Sequence, residues 1–524
     1  MSFPLLTATA VLPAVGAIAT AAVPAKQRTA AKWLALLFSL ATLVLAAVVA
    51  VRFDPGGGRF QLTESHAWIA DFGVRYELGV DGIGVALIAL TALLIPFVIL
   101  AGWHDADPQE TGNTRWRPTQ GFFALILLVE AMVIISFEAT DVFLFYIFFE
   151  AMLIPMYFLI GGFGDRAGPH GEKEAATQRS YAAVKFLLYN LVGGLIMLAA
   201  VIGLYVVAGS FSLSEIAEAR ASGSLDMATN TERLLFLGFF FAFAVKAPLW
   251  PLHTWLPNAM GEATAPVAVL ITAVVDKVGT FAMLRFCLQL FPEASKWATP
   301  VILVLALISI VYGALVAVGQ RDIKRLVAYA SISHFGFIIM GIFAMTSQGQ
   351  SGATLYMVNH GISTAALMLV AGFLISRRGS RLIADYGGVQ KVAPVLAGTF
   401  LIGSLATLSL PGLAPFVSEF LVLVGTFTRY PVIGIIATFG IVLAALYTLV
   451  LYQRTMTGPV KPSNEGIADL RVRELAVVVP LIGVLIFLGV YPKPVTELVN
   501  PAVKHTLSDV HKKDPKPEVE AAHK

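Results

Sequence analysis

The sequence predicts an all-α, polytopic membrane protein of about fourteen transmembrane helices, and three observations carry that reading. The 524 residues are 57% hydrophobic and only 13% charged, against about a quarter charged in a soluble domain. The apolar residues gather into runs of about twenty with short polar breaks between them, the length that crosses a hydrocarbon slab as a helix. Lys and Arg crowd into alternate breaks, as expected of a chain threaded back and forth through a bilayer.

The first run, residues 2–23, carries its positive flank (Lys26, Arg28) behind it, so it reads as an uncleaved helix inserted amino end outward. Runs at 32–51 and 81–102 complete an N-terminal group over residues 1–117, with Gly56 to Gly58 in the loop between them. Helices four to eight follow at 119–137, 140–161, 180–208, 233–256 and 263–290. Helices nine to thirteen fall at 299–318, 323–345, 351–376, 393–427 and 431–453. A fourteenth, 474–491, lies within 457–492. The polar tail, 493–524, balances lysines against acids and is punctuated by prolines, which predicts disorder or attachment to a neighbour. Basic groups at Lys26/Arg28/Lys32, Arg321/Lys324/Arg325 and Arg377/Arg378/Arg381/Lys391 mark one side as cytoplasmic and leave both termini outside. The Arg321–Arg325 cluster reads as an inside anchor in contact with lipid headgroups.

Helices four to eight (118–290) and nine to thirteen (291–456) form two blocks of five. An odd number per block inverts the second against the first, the scaffold of many ion-coupled transporters. The fourth helix of each block, helix 7 and helix 12, is predicted to be discontinuous. One reads AVKAPLWPLHTWLP (244–257), the other LSLPGLAPFVSEF (408–420). A proline removes its own N–H and crowds the carbonyl four residues earlier. Pro248 and Pro251 are thus expected to free the carbonyls of Ala244 and Ala247, and Pro411 and Pro415 those of Thr407 and Pro411. Such backbone at membrane depth is tolerated where it lines water or protein.

Four charges sit where the chain is most apolar: Glu150, Lys246, Lys277 and Glu419. A charge at the bilayer centre costs roughly 2.5–3.5 kcal/mol even on the lenient insertion scale, a cost that pairing, water or function must offset. The residues fit a proton path. Glu150 is expected to pair with Lys246 and, by moving, to change that lysine's hold on its proton. Lifting one charge against ~150 mV costs about 3.5 kcal/mol, or roughly two and a half powers of ten in proton affinity. Asp276 reads as a local counter-charge to Lys277, although neighbours in sequence point about 100° apart around a helix. His334 and His360 lie mid-helix and are relay candidates, since an imidazole titrates near neutrality. Ser331 and Ser333 are placed to orient water beside His334. Glu130, Lys185 and His253 are expected as proton-uptake or tuning groups, and Asp141 as a helix cap. A static ion pair, a packing kink and a carbonyl-bonded histidine are the structural alternatives.

Little else offers chemistry. The single cysteine, Cys287, makes no internal disulfide, zinc site or iron–sulfur cluster by itself. GGFG, ending at Gly164, lacks the lysine of a phosphate cradle. A net charge of +3 points to no nucleic-acid partner.

The stretches LFYIFFEAMLIPMYFLI, FAFAVKAPLWPLHTWLPNAMGEATAPVAVL, GQRDIKRLVAYASISHFG, NHGIST and LSLPGLAPFVSEFL resemble the antiporter-like membrane subunits of proton-pumping NADH–quinone oxidoreductase, respiratory complex I. The resemblance spans about 140 to 427. It implies an ion pair of Glu150 with Lys246, a central Lys277 and an outlet at Glu419. A Glu at the helix-12 position and a short tail resemble the chain M (mitochondrial subunit four) type, while Asp276 beside the central lysine departs from the family's usual pattern. The resemblance further implies sibling antiporter-like subunits on both sides. No cofactor is expected on this chain; NADH, FMN, iron–sulfur clusters and quinone would be handled by other subunits. A multisubunit cation/proton antiporter or membrane-bound hydrogenase subunit is the alternative, and a non-pumping scaffold a third reading. A bacterial plasma membrane is the expected location.

Overall fold

The computed structural model describes residues 3–107, 119–164 and 172–515. The apolar runs form helices α1 (Leu5–Ala22) and α2 (Arg28–Arg52), then, after a hairpin of β1 (Gln61–Ile69) and β2 (Val74–Val80), α3 (Gly82–Ala101) and α4 (Thr119–Glu138). The fifth predicted run is two helices, α5 (Val142–Ala151) and α6 (Leu153–Phe163), kinked at Met152. Next come α7 (Glu172–Ala208), a short α8 (Leu213–Ala221), α9 (Thr229–Lys246) and α10 (Leu256–Glu262). The second half comprises α11 (Ala265–Leu288), α12 (Pro292–Val318), α13 (Ile323–Phe343) and α14 (Ser347–Arg378). It ends with α15 (Pro394–Thr407), α16 (Ala414–Phe427), α17 (Pro431–Met456), α18 (Val472–Val490) and α19 (Lys493–Asp509). Among the described residues twelve helices are long and apolar enough to cross a membrane, α5 and α6 counting as one. The division predicted at 117/118 lies outside the described residues.

Helices that are apolar all round must be buried in protein or lipid, and the burial pattern separates the two. α11 is buried along its whole length, and α13 and α14 nearly so. α2, α7 and α17 show an apolar flank instead, with Leu37, Leu188, Leu195, Phe439 and Val442 exposed. The core is therefore the α11–α13–α14 centre, and the flanks form the wall.

Both proline-rich helices are broken. Between α9 and α10 the chain runs irregularly through Pro248 and Pro251, and between α15 and α16 through Pro411. The freed carbonyls do not all stay open, which corrects the expectation. Leu249 N reaches back to Ala244 O at 3.0 Å, and the Trp255 indole donates to Val245 O at 2.9 Å. α11 contains two π-type turns, Leu270–Val275 and Met283–Leu288, on either side of Asp276 and Lys277. Such turns leave carbonyls off the regular ladder and recur at functional positions.

Two elements depart from the sequence reading. The antiparallel hairpin fills the stretch between the second and third runs, turning at Gly73 with φ +67°. Asp81 ends it and caps α3, accepting from Gly84 N at 2.8 Å. The tail expected to be disordered or held by a neighbour is, as far as Asp509, a helix packed on its own chain. Val499, Ala502, Val503, Thr506 and Leu507 are buried at helical spacing, a stripe that the polar composition masks. The helix crosses α3 so closely that a Cβ at Gly82 would stand 1.7 Å from Leu498 O. Arg59 clamps its end through two bonds to Asp509 (3.1 and 2.6 Å). Residues 516–524 lie outside the described residues.

Candidate functional site

The second half of the chain brings four of the singled-out residues into one line. Lys277 is 0% exposed on α11. Its Nζ lies 2.6 Å from His360 Nδ1 on α14, donates to Thr272 O at 3.2 Å, and sits 4.2 Å from the centre of the Phe335 ring. The Thr272 carbonyl belongs to the first π-type turn, so the break in the ladder supplies the lysine's second acceptor. The His360 ring stands 5.4 Å from that of His334 on α13. His334 Nδ1 is 2.6 Å from Tyr356 Oη, which donates to Glu419 Oε2 at 2.7 Å. Ser409, held at φ +61° between α15 and α16, donates to the same carboxylate oxygen at 2.5 Å.

Tyr356 is thus a bridge with one proton to place. With Glu419 ionised, the hydroxyl donates to it and accepts from His334. With Glu419 protonated, the polarity reverses. A hydroxyl that can serve in either sense is what a proton relay requires.

The first half is arranged differently. Lys246 ends α9 at 1% exposure. Its Nζ donates to Phe149 O at 2.8 Å and lies 4.0 Å from the centre of that ring. The direct Glu150–Lys246 pair expected from the sequence is not made. The ring and the carbonyl of Phe149 both meet Lys246 on α9, while the Glu150 carboxylate turns to Gly194 on α7. Glu150 Oε1 makes no hydrogen bond, and a Cβ at Gly194 would stand 2.0 Å from it. Gly194 is what lets the carboxylate lie there. Gly194→Ala is expected to displace Glu150, a misplacement on the ångström scale that costs a positioned group up to about a hundredfold in rate. Glu150→Asp, one methylene shorter, should restore part of the loss, as read by proton uptake into vesicles.

The structure also places the other singled-out residues. Asp276 makes no hydrogen bond to Lys277, which turns to His360, yet it acts on the lysine through space as the expected counter-charge. The Ser333 hydroxyl donates to Ile310 O at 2.9 Å, and Ser331 is buried on the same helix. Glu130, on α4, is buried with no partner for either oxygen. Lys185 donates to Asn258 Oδ1 at 3.0 Å between the rings of Tyr181 and Tyr189. His253 is buried against Tyr312, its ring nitrogens unbonded. Asp141 caps α5, accepting from Leu144 N at 2.8 Å.

Sequence reasoning missed Tyr356, Ser409, the Phe149 carbonyl and Tyr447, whose hydroxyl on α17 is 3.5 Å from His334 Nε2. Only Tyr356 left a signal, one helical turn before His360 and so on the same face of α14. Among the described residues no group of His, Cys, Asp and Glu is arranged to hold a metal ion.

Residues 139–444 match the family described as NADH:quinone oxidoreductase/Mrp antiporter, TM. NADH-quinone oxidoreductase subunit M of Mycobacterium tuberculosis is 55% identical, over 98% of this chain and 96% of its own length. A chain in the structure of respiratory complex I from Thermus thermophilus with bound NADH superposes with a TM-score of 0.84 at 30% identity, over 96% of this chain and 99% of that one. A chain of the Mrp complex from a Dietzia species shares the fold, with a TM-score of 0.80 at 21% identity over 98% of this chain and 100% of that one.

Proposed function

The chain belongs to the NADH:quinone oxidoreductase/Mrp antiporter family, among its subunit M members, and from that premise we propose that it translocates protons within an NADH–quinone oxidoreductase, driven by quinone reduction in other subunits. One observation carries the reading: the line Lys277–His360–His334–Tyr356–Glu419, sealed from solvent and bonded at each step except between the two imidazoles. Buried ionisable groups inside a membrane mark ion pathways by default, and this line contains a base, two imidazoles, a hydroxyl and an acid in contact order.

In this reading a proton on the Lys277 ammonium passes to His360, crosses between the imidazoles, and reaches Glu419 through Tyr356. Lys246, bonded to Phe149 O, is the station in the first half. Glu150 acts on it through space, with Gly194 leaving room for the carboxylate to shift. This chain's residues carry protons only; FMN, iron–sulfur clusters, NADH and quinone belong to other subunits. Its partners are sibling antiporter-like subunits on both sides and the surrounding lipids. Both termini face outward from a bacterial plasma membrane, following the basic loops. The Dietzia likeness supports the fold alone, so a cation/proton antiporter subunit remains the alternative.

Lys277→Met, which keeps length and loses charge, is expected to lower NADH-driven acidification of inside-out vesicles by about two orders of magnitude, the worth of a positioned proton-transfer group. Electron flow from NADH to an artificial acceptor reports assembly. Acidification at the parental rate in the assembled variant would overturn the assignment.

A further inference from the structure

Three buried carboxyl groups stand outside that line. Glu130 and Glu138 on α4 and Asp276 on α11 are each 0% exposed, and no oxygen of any of them has a hydrogen-bond partner. Burying a polar group without a partner is costly. None of the three is offset by a crosslink between elements.

Their placement follows from helix packing. The Phe137 ring of α4 meets Phe281 of α11 edge to face at 5.1 Å, and both helices run toward the hairpin end. At about 1.5 Å of rise per residue, Asp276 lies roughly 7.5 Å deeper than Phe281 and Glu130 roughly 10.5 Å deeper than Phe137. Asp276 is therefore between Glu130 and Glu138 in depth. It is also an electrostatic neighbour of both Lys246 and Lys277.

Glu138 ends α4 beneath the hairpin. Ala139 bridges Leu78, and Thr140 N donates to Glu77 O at 3.0 Å. Glu138 interacts electrostatically with Glu64 of β1 and Tyr76 of β2. Glu64 is half-buried; it accepts from Leu6 N at 2.9 Å and from the Thr7 hydroxyl, which is 3.0 Å from Tyr76 Oη. The other charged or titratable groups around this end are engaged. Arg285 pairs with Asp81 at 2.9 Å, Asp141 accepts from Leu144 N and Arg75 N, and Glu77 accepts from Ser212 Oγ.

We propose that Asp276, Glu138 and Glu64 form a second proton-release branch, which opens under the β1–β2 hairpin and lets protons from the two buried lysines leave without passing Glu419. The proposal rests on the proton-translocating reading above. Asp276 takes one proton from a lysine ammonium. Bridging water between α4 and α11, for which the unpartnered oxygens of Glu130 and Glu138 are acceptors, carries it over the roughly 9 Å of depth to the Glu138 carboxylate. Protonated Glu138 gives it to the Glu64 carboxylate, directly or through the Tyr76 hydroxyl, which accepts one proton as it gives another. Glu64 releases it to water on the hairpin side. Each transfer moves one proton and regenerates the donor's carboxylate.

The test is proton translocation by the assembled complex in inside-out vesicles, with the hairpin side facing the lumen. Glu138→Gln is expected to lower the protons delivered per NADH oxidised about twofold, since the loss of a proton-transfer group closes its own route and leaves the Glu419 line to carry the rest. Glu138→Asp should recover more than half. The parental complex should slow as the lumen is made acidic, and Glu138→Gln should flatten that dependence. Parental delivery with an unchanged lumen-pH profile would overturn the branch. Should Glu138→Gln fail to assemble, Asp276→Asn decides by the same two readouts. Lys246→Ala, run alongside, separates the failures. If it pumps normally, the translocation reading falls; if it is inactive while Glu138→Gln is normal, only the branch falls.

Discussion

Lys246→Arg is expected to abolish coupled proton translocation, by about two orders of magnitude, although it preserves the positive charge. A lysine ammonium can surrender its proton and take another. An arginine guanidinium stays protonated at any pH a protein meets. If Lys246 were only a fixed charge on the Phe149 carbonyl, arginine would serve, since it has donors to spare. Packing adds a second obstacle, because a Cβ at Gly279 would stand 2.9 Å from Ala247 N and Phe243 O, so α9 and α11 meet closely beside the lysine. Lys246→Met therefore belongs in the same experiment. Arginine and methionine variants that assemble, pass electrons to an artificial acceptor and fail equally at acidifying vesicles identify reversible protonation as the requirement. An arginine variant that pumps near the parental rate would reduce Lys246 to a structural cation.

Tyr356→Phe is the second large effect. The hydroxyl is one atom, yet it bonds His334 at 2.6 Å and Glu419 at 2.7 Å. Without it His334 keeps only Tyr447 Oη at 3.5 Å, and Glu419 keeps Ser409. The loss of stability is about 1–3 kcal/mol for groups left unsatisfied, small for a chain buried on so many faces, so the subunit should still assemble. Translocation should fall about twofold in this variant alone, and at least about tenfold when Glu138→Gln closes the second branch as well, because both proton carriers are then gone. Vesicle acidification at the parental rate in the phenylalanine variant would remove Tyr356 from the path and with it the connection to Glu419.

The charges and prolines were the legible part. Glu150, Lys246, Lys277 and Glu419 stand out because each is a large expense in an apolar run, and a single sequence displays that contrast. The breaks at 247–255 and 408–413 were legible for the same reason, since proline's missing donor is a local property. The hairpin was not: its strands carry no apolar run, and Glu64 and Tyr76 acquire meaning only from Glu138 beneath them. α19 was hidden by composition, its buried stripe of Val499, Ala502, Val503 and Thr506 lying within a segment that reads as polar on average.

Class, span count to within a few helices, the two broken segments and the costly charges are properties of runs along the chain, and the amino-acid order states them directly. Which groups touch is another kind of information. Lys277 and His360 are 83 residues apart, Tyr356 and Glu419 63, Lys246 and Phe149 97. Their meeting depends on how each helix is rotated and how deeply it sits against its neighbours. One residue along α5, about 100° around the helix, separates the Phe149 ring that covers Lys246 from the Glu150 carboxylate that turns to Gly194. Packing of small residues against backbone sets that rotation, and it exists only once the helices are together.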